Sequence, residues 1–177
     1  MRAAHSQAEH PLNQSTERNL DMTYSDDSAR AQYQERWLLF LGMALFTLGL
    51  LVGLLIPLMV NARMGLSAHL EGVMNGMFLI ILGLLWPRLR VGQKVRSAAY
   101  YAVLYGAFAN IVAVLLAAFT GAGAMMPIAG GREGAPAVEA VITVLLVSLA
   151  IAMLFTCAVT LLGLYRNITG NGARAEL

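Results

Sequence analysis

The stretch "WLLFLGMALFTLGLLVGLLIPLMV", residues 37–60, carries no charged side chain and decides the fold. A helix of about 20 apolar residues crosses the hydrocarbon core of a bilayer, and this stretch is longer than that. Three further apolar stretches follow, at about residues 66–86, 98–120 and 138–164. Because 58% of the 177 residues are hydrophobic and only 12% are charged, we expect an all-α membrane protein, a bundle of four transmembrane helices.

The two ends of the chain differ from this apolar centre. Residues 1–36 are polar, of mixed charge and poor in branched apolar side chains, so they bury too little apolar surface to fold alone. We expect a disordered polar cytoplasmic tail there, a transmembrane domain at 37–166 and a short cytoplasmic tail at 167–177. We expect no cleaved signal peptide, since the first apolar run begins only at Trp37 and is too long.

The basic residues near the spans lie mainly on one side of the membrane. The side with both tails and the second loop has eight: Arg30, Arg36, Arg88, Arg90, Lys94, Arg96, Arg166 and Arg174. The opposite side has only Arg63 and Arg132. By the positive-inside rule both termini are cytoplasmic, and we expect a multi-pass protein of the bacterial inner membrane.

Charge and cysteine content exclude several function classes. The net charge is only +2, and the basic residues form no stripe, so nucleic acid is not expected as a partner. Cys157 is the single cysteine, which excludes an intramolecular disulfide and a cysteine-rich metal site.

The second span begins with unusual chemistry for a membrane helix. In "RMGLSAHLEGVMNG", residues 63–76, polar side chains interrupt the apolar pattern. At 100° per residue, one arc holds the polar and small residues: His69, Glu71, Gly72, Asn75 and Gly76. The opposite arc holds the large apolar residues: Leu70, Val73, Met74 and Met77. We expect the polar arc to face the bundle interior or a wet cavity, and the apolar arc to face lipid or a second copy in a homo-oligomer.

Polar residues of spans three and four lie at the same depth as this arc. With a rise of about 1.5 Å per residue, Asn75 lies about 12 Å and Asn110 of span three about 15 Å from the outer ends of their spans. Glu139 lies in the first turn of span four, level with His69 and Glu71. We therefore expect polar groups from three helices to meet in the outer half of the bundle.

Each of these residues also has a purely structural interpretation. Asn110 can hydrogen-bond between helices, and the Gly72–Gly76 pair is typical of close helix packing. Glu139 can simply favour the helix macrodipole. His69 and Glu71 favour a functional site, because ionisable groups within a membrane span are costly and usually functional.

Three segments add a family resemblance. "NARMGLSAHLEGVMNGMFLIILGLLWP", "YGAFAN" and "GAGAMMPIAG" together resemble the hydroxylaminobenzene mutases, small bacterial membrane enzymes of nitroaromatic degradation. The likeness extends through most of residues 37–166. It implies an isomerase, an intramolecular transferase that moves hydroxyl from nitrogen to the ortho ring carbon and so forms 2-aminophenol. The rearrangement is redox-neutral, and we expect no cofactor.

The reaction that the resemblance implies assigns roles to the polar arc. Cleaving the N–O bond requires a proton on the departing oxygen, and a base must later remove the ortho ring proton. We expect Glu71 to be the general acid, tuned by Arg63, and His69 to be the base or a proton relay. The expected contacts to the small aromatic hydroxylamine come from five residues: Asn75, Asn110, Arg63, Tyr105 and Glu139.

Two alternatives remain open at this point. A non-enzymatic four-helix protein could bind haem, quinone or a small solute through His69, although one histidine cannot supply both axial ligands of a haem. A metal site could form from His69, Glu71 and Glu139. The i, i+2 spacing of His69 and Glu71 opposes it, because it turns their side chains about 200° apart on a regular helix.

Overall fold

Prolines and capping residues divide the apolar sequence into four long helices. The computed structural model describes residues 11–130 and 133–175, without the side chains of 11–17, 19–21, 23, 24, 129 and 171–175. The helices are α1 (Pro11–Leu55), α2 (Ala62–Leu85), α3 (Gln93–Thr120) and α4 (Pro136–Ala175). Each includes a segment long and apolar enough to cross a membrane. The predicted all-α, four-span architecture is confirmed.

Local sequence fixes where these helices end. Pro57 lies in the 3₁₀ turn that follows α1, where a residue without an N–H cannot continue the helical ladder. The Asn61 side chain caps α2 by accepting from the backbone N–H groups of Arg63 at 3.1 Å and Met64 at 3.2 Å. Gly121 ends α3 in the left-handed conformation, with φ of 76°. We call the end with loops 56–61 and 121–135 the loop side, and the opposite end the termini side.

The first helix is longer than the sequence predicts. We expected residues 1–36 to be disordered, but residues 11–36 are helical and continuous with the first span. Ala31 and Gln34 are buried. The composition argument treats the tail as an isolated chain, whereas a segment that extends an existing helix needs no new nucleation. Residues 1–10 lie outside the described part of the chain.

The carboxyl tail differs from expectation in the same way. Helix α4 continues through Ala175, although we expected a separate tail at 167–177. Residues 176 and 177 lie outside the described part. Here too the helix propagates beyond the apolar segment that nucleates it.

The helices pack in a row rather than as a closed ring. Helix α1 packs mainly on α2, α2 also on α3, and α3 on α4, while the described parts of α1 and α4 do not pack substantially on each other. The two central helices, α2 and α3, are consequently the most buried spans. A polar group between α2 and α3 therefore lies in the middle of the molecule.

Glycines let α1 and α2 approach to backbone contact. A Cβ added to Gly72 would lie 2.6 Å from the Cα of Gly49, and one added to Gly76 would lie 2.7 Å from the carbonyl oxygen of Gly42. No side chain fits at these separations. The packing interpretation of the Gly72–Gly76 pair is therefore confirmed.

The two arcs of α2 have the exposure that the helical projection predicts. On the apolar arc Leu70, Met74 and Met77 are 47%, 59% and 43% exposed. On the opposite arc Gly72, Asn75 and Gly76 are buried. The polar arc therefore faces the other helices.

Candidate active site

The Glu71 carboxylate is the centre of a hydrogen-bonded cluster between α2 and α3. Its Oε2 accepts from Nδ2 of Asn110 at 2.6 Å and from Nδ2 of Asn75 at 3.3 Å. Asn75 lies one helical turn after Glu71, so the two side chains share a face of α2. Asn110 reaches them from α3. These two bonds confirm that Asn75 and Asn110 lie at similar depth.

This cluster, the Glu71 triad (Glu71, Asn75 and Asn110), keeps unused hydrogen-bonding capacity. Both amide donors use Oε2, and no described residue donates to Oε1 of Glu71 or to the two amide oxygens. Asn75 is 7% exposed, whereas Glu71 and Asn110 are half-buried. The triad therefore leaves three oxygen atoms for a ligand, in surroundings of low dielectric where hydrogen bonds are strong.

His69 is fixed by the neighbouring helix α1. Its Nδ1 lies 2.8 Å from the carbonyl oxygen of Gly49. Because a carbonyl oxygen can only accept, Nδ1 carries the hydrogen, and the lone pair of the neutral ring lies on Nε2. Gly53 leaves space for the ring, since a Cβ at that position would lie 2.8 Å from Nδ1. His69 is thus oriented as a base or ligand through Nε2.

His69 and Glu71 point to different helices, as their positions at opposite edges of the polar arc predict. His69 contacts α1, whereas Glu71 contacts α3. Gly72 lies where the three helices meet, because a Cβ there would lie 2.6 Å from Gly49 and 3.0 Å from Cδ1 of Ile111. The two ionisable groups are not a directly bonded pair, so they would act on different parts of a bound molecule.

Arg63 and Glu71 form no ion pair in the described part of the chain. The expected tuning of Glu71 by Arg63 and the expected contact of Arg63 with substrate stay predictions. Eight residues along one helix separate the two by about 12 Å. The Arg63 side chain is exposed on the loop side, where a Cβ at Gly130 would lie 3.5 Å from its Nη1.

Tyr105 lies on a different face of α3 from Asn110. Its hydroxyl and Oγ of Ser148 hydrogen-bond at 2.6 Å. Five residues turn a helix by about 140°, which separates Tyr105 from the face that carries Asn110. The Tyr105 hydroxyl therefore contacts α4 instead of the Glu71 triad, and the expected contact of Tyr105 with substrate stays a prediction.

Glu139 organises the loop that follows α3. Its carboxylate accepts from the backbone N–H groups of Gly134 at 2.9 Å, Gly123 at 3.1 Å and Ala124 at 3.3 Å. The carboxylate of Glu139 therefore binds the loop backbone and makes no hydrogen bond to the Glu71 triad. Its expected contact with substrate stays a prediction.

The structure contradicts the alternative of a metal site built from His69, Glu71 and Glu139. Within residues 11–130 and 133–175, no three His, Cys, Asp or Glu side chains converge to hold a metal ion.

Sequence reasoning missed the contribution of α1 to the site. Gly49 supplies the carbonyl that orients His69, and Gly53 supplies the space for its ring. The signal was the pair of glycines in "LGLLVGLL", which is easily read as part of a leucine-rich composition. Glycines inside a membrane helix mark close approach to a neighbouring group.

Comparisons with known proteins match this same region. The family model of styrene oxide isomerase matches residues 34–165. Hydroxylaminobenzene mutase HabB of Ectopseudomonas oleovorans is 54% identical over 145 residues, which cover 81% of this chain and 88% of that protein. Hydroxylaminobenzene mutase HabA of the same organism is 46% identical over 127 residues, 71% of this chain and 94% of that protein. No solved structure matches the chain significantly.

Proposed function

The chain belongs to the styrene oxide isomerase family, and from this membership we propose that it is a membrane isomerase that converts hydroxylaminobenzene into 2-aminophenol. Two relatives named hydroxylaminobenzene mutases, 54% and 46% identical to this chain, support this substrate. The observation that carries the proposal is the half-buried Glu71 carboxylate, held by two amides inside a membrane span.

Styrene oxide and hydroxylaminobenzene have a common chemical feature. In both, an oxygen is bonded to the atom attached to a benzene ring. Heterolytic cleavage of that bond leaves positive charge that the ring delocalises, and no net oxidation is required. A site that activates the oxygen and stabilises this charge would suit both reactions.

In the proposed reaction Glu71 acts on the oxygen of the substrate. A proton from Oε1 would protonate the departing hydroxyl, since both amide bonds already use Oε2. The N–O bond then breaks with its electron pair on oxygen. The resulting carboxylate stabilises the positive charge on nitrogen and ring.

Completion of the reaction needs confinement and a base. The amide oxygens of Asn75 and Asn110 would hold the N–H and O–H groups, so that the oxygen rejoins the ring at the ortho carbon before water from the bulk reacts. Nε2 of His69 would accept the ring proton or relay it. As the oxygen bonds the ortho carbon, its extra O–H proton would return to the Glu71 carboxylate. The ring proton taken by His69 would pass to the substrate nitrogen, so both side chains end in their starting protonation states.

One observation also supports a second candidate function, haem binding through His69. The bond from Nδ1 to Gly49 directs the lone pair of His69 to Nε2, which is also the arrangement of a histidine that ligates haem. An absorption spectrum of the purified protein distinguishes the candidates. A Soret band that disappears in His69→Ala would assign His69 to haem binding instead of proton transfer.

We also propose the orientation and assembly of the protein. The basic residues on the termini side favour cytoplasmic termini in the bacterial inner membrane. A second copy of the chain would cover the exposed apolar arc of α2 or the groove of about 340 Å³ on the outer face of α1, which includes Phe40, Thr47 and Leu51. Cross-linking in intact membranes, combined with reporter fusions at each terminus, tests both statements.

The experiment that tests the reaction uses membranes that contain the full-length chain. They are incubated with hydroxylaminobenzene under reducing conditions, and 2-aminophenol and 4-aminophenol are quantified. We expect the ortho product from the wild type and a loss of about 100- to 10,000-fold in rate for Glu71→Gln, the range typical of a general acid. His69→Ala should also be strongly impaired.

Glu133→Gln is the matched control, because Glu133 is an exposed carboxylate outside the triad. It should retain the wild-type rate. Membranes with normal protein levels but no ortho product would refute the proposed function. Wild-type rates in Glu71→Gln and His69→Ala would refute only the assignment of these residues.

A further inference from the structure

The Glu71 triad lies beside a gap between α2 and α4. Helix α3 packs on both of these helices, whereas the described parts of α2 and α4 do not pack substantially on each other. Asn110 of α3 bonds Glu71 of α2. Tyr105, five residues earlier on α3, bonds Ser148 of α4. The surface of α3 between these two directions is therefore the floor of an open groove, which we call the α2–α4 groove.

The exposure of Asn110 indicates that the α2–α4 groove reaches the triad. The residues about one turn away on this side of α3 are buried: Gly106, Ala107, Ala113 and Val114. Asn110 and Glu71 are nonetheless only half-buried. A side chain in the middle of a buried face keeps accessible surface only where the neighbouring helices leave space, and here that space is the gap between α2 and α4.

Met153 fills the floor of this groove one turn deeper than the triad. Gly106 precedes Asn110 by four residues, so it lies about 40° around α3 and about 6 Å nearer the termini side. A Cβ added to Gly106 would lie 2.7 Å from Sδ and 2.8 Å from Cγ of Met153. The thioether of Met153 therefore lies directly on the backbone at Gly106, and the side chain is half-buried against the hydrophobic core.

Below Met153 the groove ends, because α4 meets the loop that follows α2. The N–H of Arg90 donates to the carbonyl oxygen of Gly163 at 3.2 Å. A Cβ added to Gly163 would lie 3.2 Å from Cβ of Leu89. The groove is thus open at the level of the triad and closed toward the termini side.

The contacts proposed for the substrate give its direction in the groove. The hydroxyl lies at Glu71, and the N–H lies at the amide oxygens of Asn75 and Asn110, one turn deeper along α2. The ring therefore points toward the termini side. The nitrogen and the para hydrogen of hydroxylaminobenzene are about one helical turn apart, roughly 5.4 Å, which is close to the offset between Asn110 and Gly106. The para position consequently meets the thioether of Met153.

We propose that Met153 is a specificity-determining residue, whose thioether selects arylhydroxylamines without a bulky para substituent. This inference rests on the proposed function. A methionine side chain is flexible and packs well against the edge of an aromatic ring, so it holds the unsubstituted ring and moves aside for a fluorine or methyl group. A branched group such as isopropyl needs the volume that Met153 occupies.

The kinetic test uses membranes that contain the full-length chain and compares hydroxylaminobenzene with its 4-isopropyl derivative. The wild type should have a kcat/KM at least about tenfold lower for the isopropyl substrate, the cost of extra methylene-sized groups in a fitted apolar pocket. Met153→Ala should remove this difference, chiefly by lowering the KM of the isopropyl substrate. It should also raise the KM of hydroxylaminobenzene about threefold, because the contact between sulfur and ring is lost.

Gly106→Ala tests the position of the thioether. The new methyl group would displace Met153 into the groove, so kcat/KM for hydroxylaminobenzene should fall by about tenfold. The double variant with Gly106→Ala and Met153→Ala should recover most of this loss, since the methyl group then has space. Absence of recovery would mean that Gly106→Ala acts only on the packing of α3 against α4, and would overturn the placement of Met153 in the groove.

A measurement without turnover separates this proposal from the proposed function. 4-Fluoroaniline lacks the N–O bond and cannot rearrange, and its fluorine reports the surroundings of the para position by ¹⁹F NMR of the purified protein. The bound signal should move in Met153→Ala. The matched control is Leu154→Ala, an apolar truncation at the adjacent, exposed position of α4, which should keep both the wild-type signal and the wild-type preference between substrates.

The two failures have different signatures. Equal substrate preference in the wild type and Met153→Ala, in membranes that form 2-aminophenol, would overturn the role of Met153 and leave the proposed function intact. Absence of 2-aminophenol together with a ¹⁹F signal that depends on Met153 would refute the proposed function alone. An identical ¹⁹F signal in the wild type and Met153→Ala would overturn the position of the ring.

Discussion

One polar network lies at the termini-side end of α2 and another, the Glu71 triad, lies nearer the loop side, and they differ in which polar atoms lack a hydrogen bond. On the termini side the Trp86 indole N–H donates to Gln34 at 3.1 Å, and Gln34 donates to Oγ of Ser97 at 3.3 Å. Trp86 is fully buried and Gln34 is 8% exposed. On the loop side the Glu71 triad keeps acceptor oxygens that no described residue uses.

This difference separates structural polar groups from reactive ones. The single donor of Trp86 is used, so its network joins α1 to the end of α2 and has little to offer a ligand. The Glu71 triad is partly exposed and incompletely bonded, as a binding site must be before its ligand arrives. Burial of a polar residue in a membrane protein is thus weak evidence for function unless hydrogen-bonding capacity is left over.

Asn110→Leu should affect the rate of isomerisation most among the supporting positions. Loss of the 2.6 Å bond releases Glu71 from its fixed orientation, and loss of a positioned donor commonly costs about 100-fold in rate. The measurement is the rate of 2-aminophenol formation per amount of folded protein. A variant with more than half of the wild-type rate would place the chemistry away from the Glu71 triad.

Gly53→Ala should reduce the rate by about tenfold through His69. The new methyl group would occupy space 2.8 Å from Nδ1 and so displace the ring from Gly49, which disturbs the precise geometry that catalysis needs. Gly92→Ala is the control, since its Cβ meets no atom. If Gly53→Ala proves fully active, the bond from His69 to Gly49 has no role in the reaction.

Glu139→Gln should change the rate by only about threefold, because an amide retains one acceptor oxygen but loses the charge that strengthens bonds from backbone N–H groups. Hydrogen exchange at Gly123, Ala124 and Gly134 should accelerate, as their common acceptor weakens. Glu133→Gln should leave exchange at these amides unchanged. Unaltered exchange in Glu139→Gln would contradict the anchoring role.

Gln34→Leu should leave the rate per folded molecule within about twofold of the wild type, while lowering stability. The Trp86 indole N–H would lose its acceptor while still buried, which costs about 1–3 kcal/mol. Thermal unfolding in detergent, measured beside the rate, separates the two effects. A large loss of rate without loss of stability would remove the proposed distinction between the two networks.

The sequence predicts what a regular helix determines by itself. Length and hydropathy identify four spans, and the 100° repeat with the 1.5 Å rise places Asn75 and Asn110 at one depth and separates His69 from Glu71. These predictions hold because rotation and rise per residue are constant in a regular helix, so the residue number gives the direction of a side chain and its depth. The same rise per residue separates Arg63 from Glu71 by about 12 Å along the helix. The same rotation places Tyr105 about 140° from Asn110 around α3.

The remaining features depend on contacts between elements distant in sequence. The carboxylate of Glu139 turns to loop N–H groups whose positions no periodicity gives. Gly49 contributes a backbone carbonyl, which has no side-chain signature. The helix over residues 11–36 is also not predicted, because the composition of this segment alone does not favour one. The helix continues the adjoining span, and Gln34 hydrogen-bonds to neighbouring elements.

The backbone contact of α1 with α2 has a consequence for the order in which the molecule assembles. Gly42, Gly49, Gly72 and Gly76 all belong to the first two helices, so this hairpin can form as soon as both have entered the membrane. His69 can then form its hydrogen bond to Gly49 of α1, whereas Glu71 can bond Asn110 only after α3 has inserted. A chain truncated after α2 should therefore persist as an inserted but inactive hairpin, and the arrival of α3 is the step that completes the triad.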